Sequence, residues 1–399
     1  MFWRSTVLLI TAMPPAPPEN RAAYLVDKHG KPLEVRPAPY TAPGPDEIVI
    51  KNEAVAINPV DGAVQLAGST MLPWLKYPCI QGSDVSGVVV DVGSGGEAER
   101  LFKAGDRIVG LAVGTDKRAN RASEGAFQQY TVLRCQLASK IPDDLPCERA
   151  CVLPLALSTA ACGLFMADHL ALDKPRVLQQ LGADEEARDS SSPAVVIVWG
   201  GSTSVGSNAI QLARAAGYEV FSTASPKNFE YVQSLGASVV FDYRAADTVA
   251  RIVDALRGKT CAGALAIGTR SLEACIDIVA AVPGRKFVSQ ASVPVDMQDV
   301  PKSMLGFLKV MLGLMWWNVS VGLKAMFKRV STRFIWGTDL MENEVGPVIY
   351  RDFLPGALAE GQYQAKPDPV IAGTGLESIQ KGIEVCKKGV SAAKVVVTL

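Results

Sequence analysis

Apolar positions along the chain change period several times, and the sharpest change lies between Ala194 and Asn228. Ala194 to Trp199 is an unbroken apolar run, as expected of a parallel strand buried on both faces. A small-residue turn follows, Gly200-Gly201-Ser202-Thr203-Ser204-Val205-Gly206. Asn208 to Ala216 then sets Ile210, Leu212 and Ala213 among strong helix formers, Gly217 stands where a helix ends in a left-handed residue, and Tyr218 to Thr223 reads as a second strand. Val239 to Tyr243, Gly263 to Ile267 and Lys286 to Ser289 read as third, fourth and fifth strands, separated by helices Thr248 to Arg257 and Ser271 to Ala281. This alternation predicts an α/β unit whose parallel sheet is covered on both faces.

The N-terminal part follows a different pattern. AAYLV, PLEVR and DEIVIKNEAVAI alternate with proline turns, and the period-two pattern of Glu47 to Ile57 predicts an antiparallel strand on one core face. Asn58-Pro59-Val60-Asp61 is read as the turn that ends it. Further short strands at Ile80 to Gly93, 103–110 and 125–132 make residues 20–140 a mostly β module of the small-barrel kind. Cys147 to Asp168 turns helical, Ala171 to Pro193 reads as an inserted loop with an exposed, mobile part from Gly182, and the tail reads as an amphipathic helix, Leu376 to Lys387, with a final strand, Lys394 to Leu399. Met304 to Gly322 is the most hydrophobic window; Lys309, Asn318 and three glycines interrupt it, so it is expected to be a buried segment lining a substrate pocket or a subunit interface rather than a membrane span.

The 399 residues carry 40 basic and 40 acidic side chains, a balance that makes no electrostatic case for nucleic acid or an anionic membrane as partner. Eight scattered cysteines without a C-x-x-C pair read as reduced thiols of a cytosolic protein. The two histidines, His29 and His169, stand in no ligand-spaced cluster, so no metal is expected; His29 is expected in a solvent-facing turn and His169 near a helix end. Residues 1–19, with a short apolar run followed by prolines, are expected to be a disordered extension, with Met13 as an alternative start.

Strand, glycine turn, helix, strand is the opening unit of a dinucleotide-binding fold. Small turn residues let backbone approach a pyrophosphate, and the helix N-terminus offers it unpaired N–H groups and a partial positive charge. The end of the second strand discriminates between cofactors: an acid there would hold the ribose 2′-OH of NAD. Here it reads Ser222-Thr223-Ala224-Ser225-Pro226-Lys227-Asn228, with no acid, and Ser225 and Lys227 favour the 2′-phosphate of NADP.

AINPVD at 56–61, the glycine strand at 82–93, AGDRIVG at 104–110, GAFQQY at 125–130, GGSTSVG at 200–206, LGASVVFDY at 235–243 and the closing helix with KVVV, in this order, resemble the medium-chain dehydrogenase/reductase superfamily from about Ala22 to Leu399. The resemblance implies a GroES-like β-barrel catalytic domain (20–165) completed by residues 336–399, a Rossmann domain between them (166–335, with the mobile insert 171–193), and an active cleft where they meet. The chain departs from the zinc alcohol dehydrogenases: Asn58-Pro59-Val60-Asp61 and Gly82-Ser83-Asp84 stand where a ligand Cys and a ligand His belong, and the four-Cys structural loop is missing. This resembles the zinc-free quinone and enoyl reductases, most closely fungal trans-acting enoyl reductases that serve polyketide synthases.

Carried over by motif, Gly201, Ser202, Thr203, Ser204 and Val205 would face the cofactor phosphates. Ser225, Lys227, Asn228 and Tyr243 would surround the 2′-phosphate, and Ser391 and Ala392 would close over the cofactor. Leu157, Ser158, Thr159 and Ala160 would line the substrate side. The implied reaction is hydride transfer from NADPH to the β-carbon of a conjugated carbonyl, with the enolate held by hydrogen-bond donors among Thr159, Ser158 and Asn58 and a proton relayed by water or Asp61. The implied substrate is a small molecule or a carrier-bound acyl group, with a polyketide synthase as partner and a monomer or homodimer as the working form. A quinone or alcohol oxidoreductase of the same fold, a catalytically idle NADP-binding protein and a membrane-associated protein are the alternatives.

Overall fold

The computed structural model describes residues 17–28, 32–177, 193–292 and 304–399. The expectations for the extension up to residue 16, for His29 and for most of the 171–193 insert lie outside the described residues. The N-terminal strands are β1 (Asn20–Leu25), β2 (Glu34–Ala38), β3 (Glu47–Ile57), β4 (Cys79–Ile80), β5 (Asp84–Val92), β6 (Arg107–Leu111), β7 (Tyr130–Arg134) and β8 (Ala138–Lys140). The central units follow as β9 (Val195–Trp199), β10 (Glu219–Ala224), β11 (Val239–Asp242), β12 (Cys261–Ala266), β13 (Phe287–Gln290) and β14 (Ser331–Phe334), and the chain closes with β15 (Asp368–Thr374) and β16 (Ala393–Thr398).

β3 organises the barrel. Its first half pairs with β7, its second half with β16, and nearly its whole length with β5, all antiparallel. Because it is covered on both faces, only Lys51 and Glu53 are exposed, and the expected single buried face is replaced by a nearly continuous buried run. β16 comes from the last residues of the chain, so the C-terminus completes the sheet β15-β16-β3-β5-β6-β8. Asn58-Pro59-Val60-Asp61, expected as a terminating turn, instead starts a helix, Pro59–Met71. Proline is preset for the first helical position, and Asp61 Oδ2 accepts the Asn58 N–H at 2.7 Å, so the turn residues serve as a cap.

The second large sheet is wholly parallel, in the order β11-β10-β9-β12-β13-β14. In chain order this is 3-2-1-4-5-6, with the topological switch between β9 and β12. The five expected strands are all present; β14 is additional, an edge strand exposed at all four residues that therefore carries no apolar signal. Met304–Lys328 is a single helix, and from Leu308 to Phe327 only 11% of it is buried within this chain, which corrects the substrate-pocket expectation and does not bear on the subunit-interface one. It lies against the helix Ser271–Ala281 through one stripe, and its other face is open.

Candidate functional site

The turn after β9 sits at the switch point. Gly200 is left-handed at φ +90°, and a Cβ there would meet the Ile267 carbonyl oxygen, just past β12, at 2.8 Å. A Cβ on Gly206 would lie 2.2 Å from the Gly200 oxygen, so glycine is what lets the helix start this close to the strand. Thr203 is the N-cap: its Oγ1 accepts from the Gly206 N–H at 3.0 Å and donates to Gly200 O at 2.8 Å. Ser202, Thr203, Ser204 and Val205 all reach the surface, while Gly201 is buried against Ser222. The helix they head, Ser204–Ala215, is twelve residues long, enough to present N-terminal amides and a dipole to an anion.

Two further segments converge beside this turn. Ala224 at the end of β10 pairs with Asp242 at the end of β11, so Ser225–Asn228 and Tyr243-Arg244 leave the sheet side by side. Lys227 and Tyr243 are exposed, and Ser225 is nearly buried. Asn228 Nδ2 donates to Ser391 Oγ at 3.2 Å, joining residues 163 positions apart; Ala392 next to it holds a left-handed φ of +48°. Arg244 was missed by sequence reasoning. Its guanidinium lies 5.4 Å from the Tyr243 ring centroid, and its Nε donates to the Tyr243 hydroxyl at 3.3 Å. The available signal was positional: it stands two residues beyond a strand that neighbours β10.

On the barrel side the expected catalytic residues separate into two groups. In the helix Pro154–Phe165, Leu157, Ser158 and Ala160 are fully buried. The Ser158 hydroxyl is paired at 2.8 Å with that of Tyr350, which in turn donates to Pro154 O at 3.1 Å. Thr159 is half-exposed, and its Oγ1 donates to Leu155 O at 2.7 Å. Asn58 and Asp61 belong to a buried polar cluster. Lys394 Nζ lies 2.8 Å from Asp84 Oδ2 and donates to Asn58 Oδ1 at 2.5 Å. Asn58 Nδ2 donates to Asp84 Oδ2 at 2.8 Å, and Asp84 Oδ1 accepts the Leu155 N–H at 2.6 Å. Asp84 thus ties β5, β16 and the starts of two helices together. A surface recess of about 540 Å³ lined by Arg21, Lys51 and Tyr130 among others shares no residue with either group.

Asn58 and Asp84 fall in the segments where the zinc alcohol dehydrogenases carry metal ligands. Here the Lys394 ammonium occupies their oxygens, and Asn58 turns its own donor toward Asp84. Among the described residues no group of three or more His, Cys, Asp or Glu side chains is placed to hold a metal ion. This donor set fits a lysine cation and does not fit a zinc ion.

Burial, with the Asp84 charge adding to it, pushes the Asp61 carboxyl up to about 7, against the Asn58 and Gly82 amides and Lys394, which pull it down. The folded state therefore holds a proton on Asp61 that the unfolded chain releases near pH 4. Stability contributed by this group falls as pH rises from about 4 to about 7. Asp61→Asn keeps an oxygen for the Asn58 N–H and is expected to gain on the parent protein across that interval, read as the urea midpoint against pH. A profile parallel to the parent's would remove Asp61 from this role. His169 lies just beyond the end of its helix and is buried, with Nδ1 3.3 Å from Ser289 Oγ; burial lowers its pKa, consistent with a neutral structural imidazole.

A glycine-turned crevice at the switch point of a 3-2-1-4-5-6 sheet, facing a barrel closed by the chain's own C-terminus, defines a dinucleotide-dependent oxidoreductase. The alcohol dehydrogenase GroES-like domain family matches residues 44–143. The dehydrogenase pigH of Monascus ruber is 48% identical over 382 residues, 96% of this chain and 100% of that protein. The trans-enoyl reductase himH of Aspergillus japonicus is 37% identical over 384 residues, 95% of this chain and 97% of that protein. The crystal structure of the CurK enoyl reductase superposes with a TM-score of 0.67 at 18% identity, covering 95% of this chain and 99% of that one. The chain belongs to the medium-chain dehydrogenase/reductase superfamily and is an oxidoreductase that uses a nicotinamide cofactor.

Proposed function

We propose that this protein is a zinc-independent, NADPH-dependent reductase of the C=C bond of an enoyl or enone substrate, working in the cytosol of a fungal polyketide pathway. The observation that carries the cofactor choice is the end of β10, which offers Ser225, Lys227 and, from β11, Arg244 where an NAD enzyme offers an acid. Gly201, whose Cβ would meet Ser222 Oγ at 2.2 Å, and Ser202 to Val205 form the phosphate cradle, with Ser391 and Ala392 against Asn228 as its outer wall. Ser225, Lys227, Asn228, Tyr243 and Arg244 hold the 2′-phosphate. When bound, the cofactor supplies the hydride.

The chain's own residues then position the substrate. Thr159 is the half-exposed hydroxyl of its helix; turned from Leu155 O, it donates to the carbonyl oxygen on which enolate charge develops. Leu157, Ser158 and Ala160 fix that helix from within, and Asn58 and Asp61 hold its start through Asp84. Residues 20–165 with 336–399 serve as the catalytic domain and 166–335 as the cofactor domain. The trans-enoyl reductases among its relatives support a carrier-bound acyl substrate delivered by a synthase.

The test is titration with NADPH and NADH, then NADPH oxidation against an enoyl thioester, a quinone and an aldehyde. Preference for NADPH with enoyl turnover is expected; quinone turnover alone would replace the substrate reading. Lys227→Ala and Arg244→Ala are each expected to weaken NADPH binding about tenfold while leaving NADH binding unchanged. Equal losses for both cofactors would remove the 2′-phosphate assignment.

A further inference from the structure

The helix Met304–Lys328 is apolar on both faces, a pattern that ordinarily means burial on all sides. Its inner stripe is accounted for. Val321 and Ala325 are buried, Trp317 Nε1 donates to Glu273 at 2.6 Å, and Lys324 and Lys328 pair with Asp277 at 2.7 and 2.9 Å. The outer stripe, Leu305, Leu308, Leu312, Trp316, Val319 and Leu323, recurs every three or four residues and is at least 46% exposed throughout, with Trp316 at 74%. Phe327 and Trp336 extend it. A stripe of this length, about 33 Å of helix from Leu305 to Phe327, is far more than scattered surface apolar residues account for.

Charge identifies what covers it. From Met304 to Thr338 the chain has five basic residues, Lys309, Lys324, Lys328, Arg329 and Arg333, and no acid. Lys324 and Lys328 are paired with Asp277 and Arg333 with Asp168, so the exposed Lys309 and Arg329 are the cations left beside the apolar face. A second copy seated here would add its own Lys309 and Arg329, which disfavours self-association, whereas exposed apolar and aromatic side chains beside such cations match the chemistry of anionic phospholipid headgroups over acyl chains. The inner-stripe ion pairs and the Trp317 bond hold the helix flat on its domain, so it lies along a bilayer rather than crossing it. We propose that the outer face of Met304–Lys328 seats the protein on an anionic membrane surface, its axis parallel to the bilayer. This does not depend on the substrate reading, and net charge zero for the whole chain says nothing about one segment that has five basic residues and no acid.

The experiment is flotation of the full-length chain with phosphatidylcholine vesicles containing roughly 30% phosphatidylserine, against phosphatidylcholine alone. Flotation is expected with the anionic vesicles and is expected to weaken with added salt. Lys309→Gln with Arg329→Gln, both exposed, is expected to lower partitioning about thirtyfold. Leu312→Gln with Trp316→Gln is expected to abolish it at an unchanged unfolding midpoint. No flotation of the parent protein, flotation indifferent to the apolar pair, or a stable dimer in light scattering that the apolar pair dissolves would each overturn the proposal, the last assigning the face to a second copy.

Discussion

Lys394→Met is expected to destabilise the protein by about 3–5 kcal/mol. The ammonium is 5% exposed and its partner Asp84 is fully buried, so the variant leaves a carboxylate in the interior without its cation. Asp84 keeps the Asn58 amide and the Leu155 N–H, but neither carries a full charge. Denaturant midpoints measure the loss. Lys394→Met combined with Asp84→Asn is expected to restore much of the loss, since the cycle removes both charges together. A double variant as unstable as the sum of its parts would show that the pair is not coupled. The same pair anchors the start of the Thr159 helix, so activity is expected to fall with stability in the single variant and to return in part in the double.

Gly206→Val is expected to abolish dinucleotide binding, with affinity reduced by about a hundredfold or more, and to cost about 1–3 kcal/mol of stability. The Cβ would sit 2.2 Å from the Gly200 oxygen and 2.8 Å from the Gly201 Cα, both backbone atoms with no side-chain freedom to yield. The helix would have to withdraw from the strand, taking the Thr203 cap and the helix-end amides out of the crevice. Calorimetric titration with NADPH checks the binding loss, and a folded variant that binds normally would show that the turn is not the phosphate site. Gly201→Ala is a milder comparison, because its clash at 2.2 Å is with a side-chain atom, the Ser222 hydroxyl, which can turn away by giving up its bond to Val198 O.

Local patterning made most of the parallel sheet legible. The apolar run at Val195–Trp199, the small-residue turn and the helix-period positions after it each report a backbone state set within a few residues. β14 was invisible because an edge strand exposed along its length has no apolar period to show. The start of the helix after Asn58 has the sequence of a turn, because asparagine, proline and aspartate serve both structures, and only the position of Asp61 beneath the Asn58 N–H separates them. The expected burial of the 304–322 window rested on hydrophobicity, which says that a surface is unfavourable in water but not what covers it.

By itself the sequence determined the first five strands of the parallel sheet, the glycine turn and the lack of an acid after the second strand, because these follow from periodicity and residue type over short distances. Tertiary structure alone decided that Leu157, Ser158 and Ala160 turn inward while Thr159 keeps an open side. It also decided that Arg244 follows the strand beside the one that leads into Ser225 and Lys227, that Asn228 reaches Ser391, and that Lys394 meets Asp84 and Asn58. The physical reason is range: a side chain's element is set by its neighbours in sequence, whereas its partners are set by which strands lie side by side and which faces pack, and Lys394 and Asn58 are 336 residues apart.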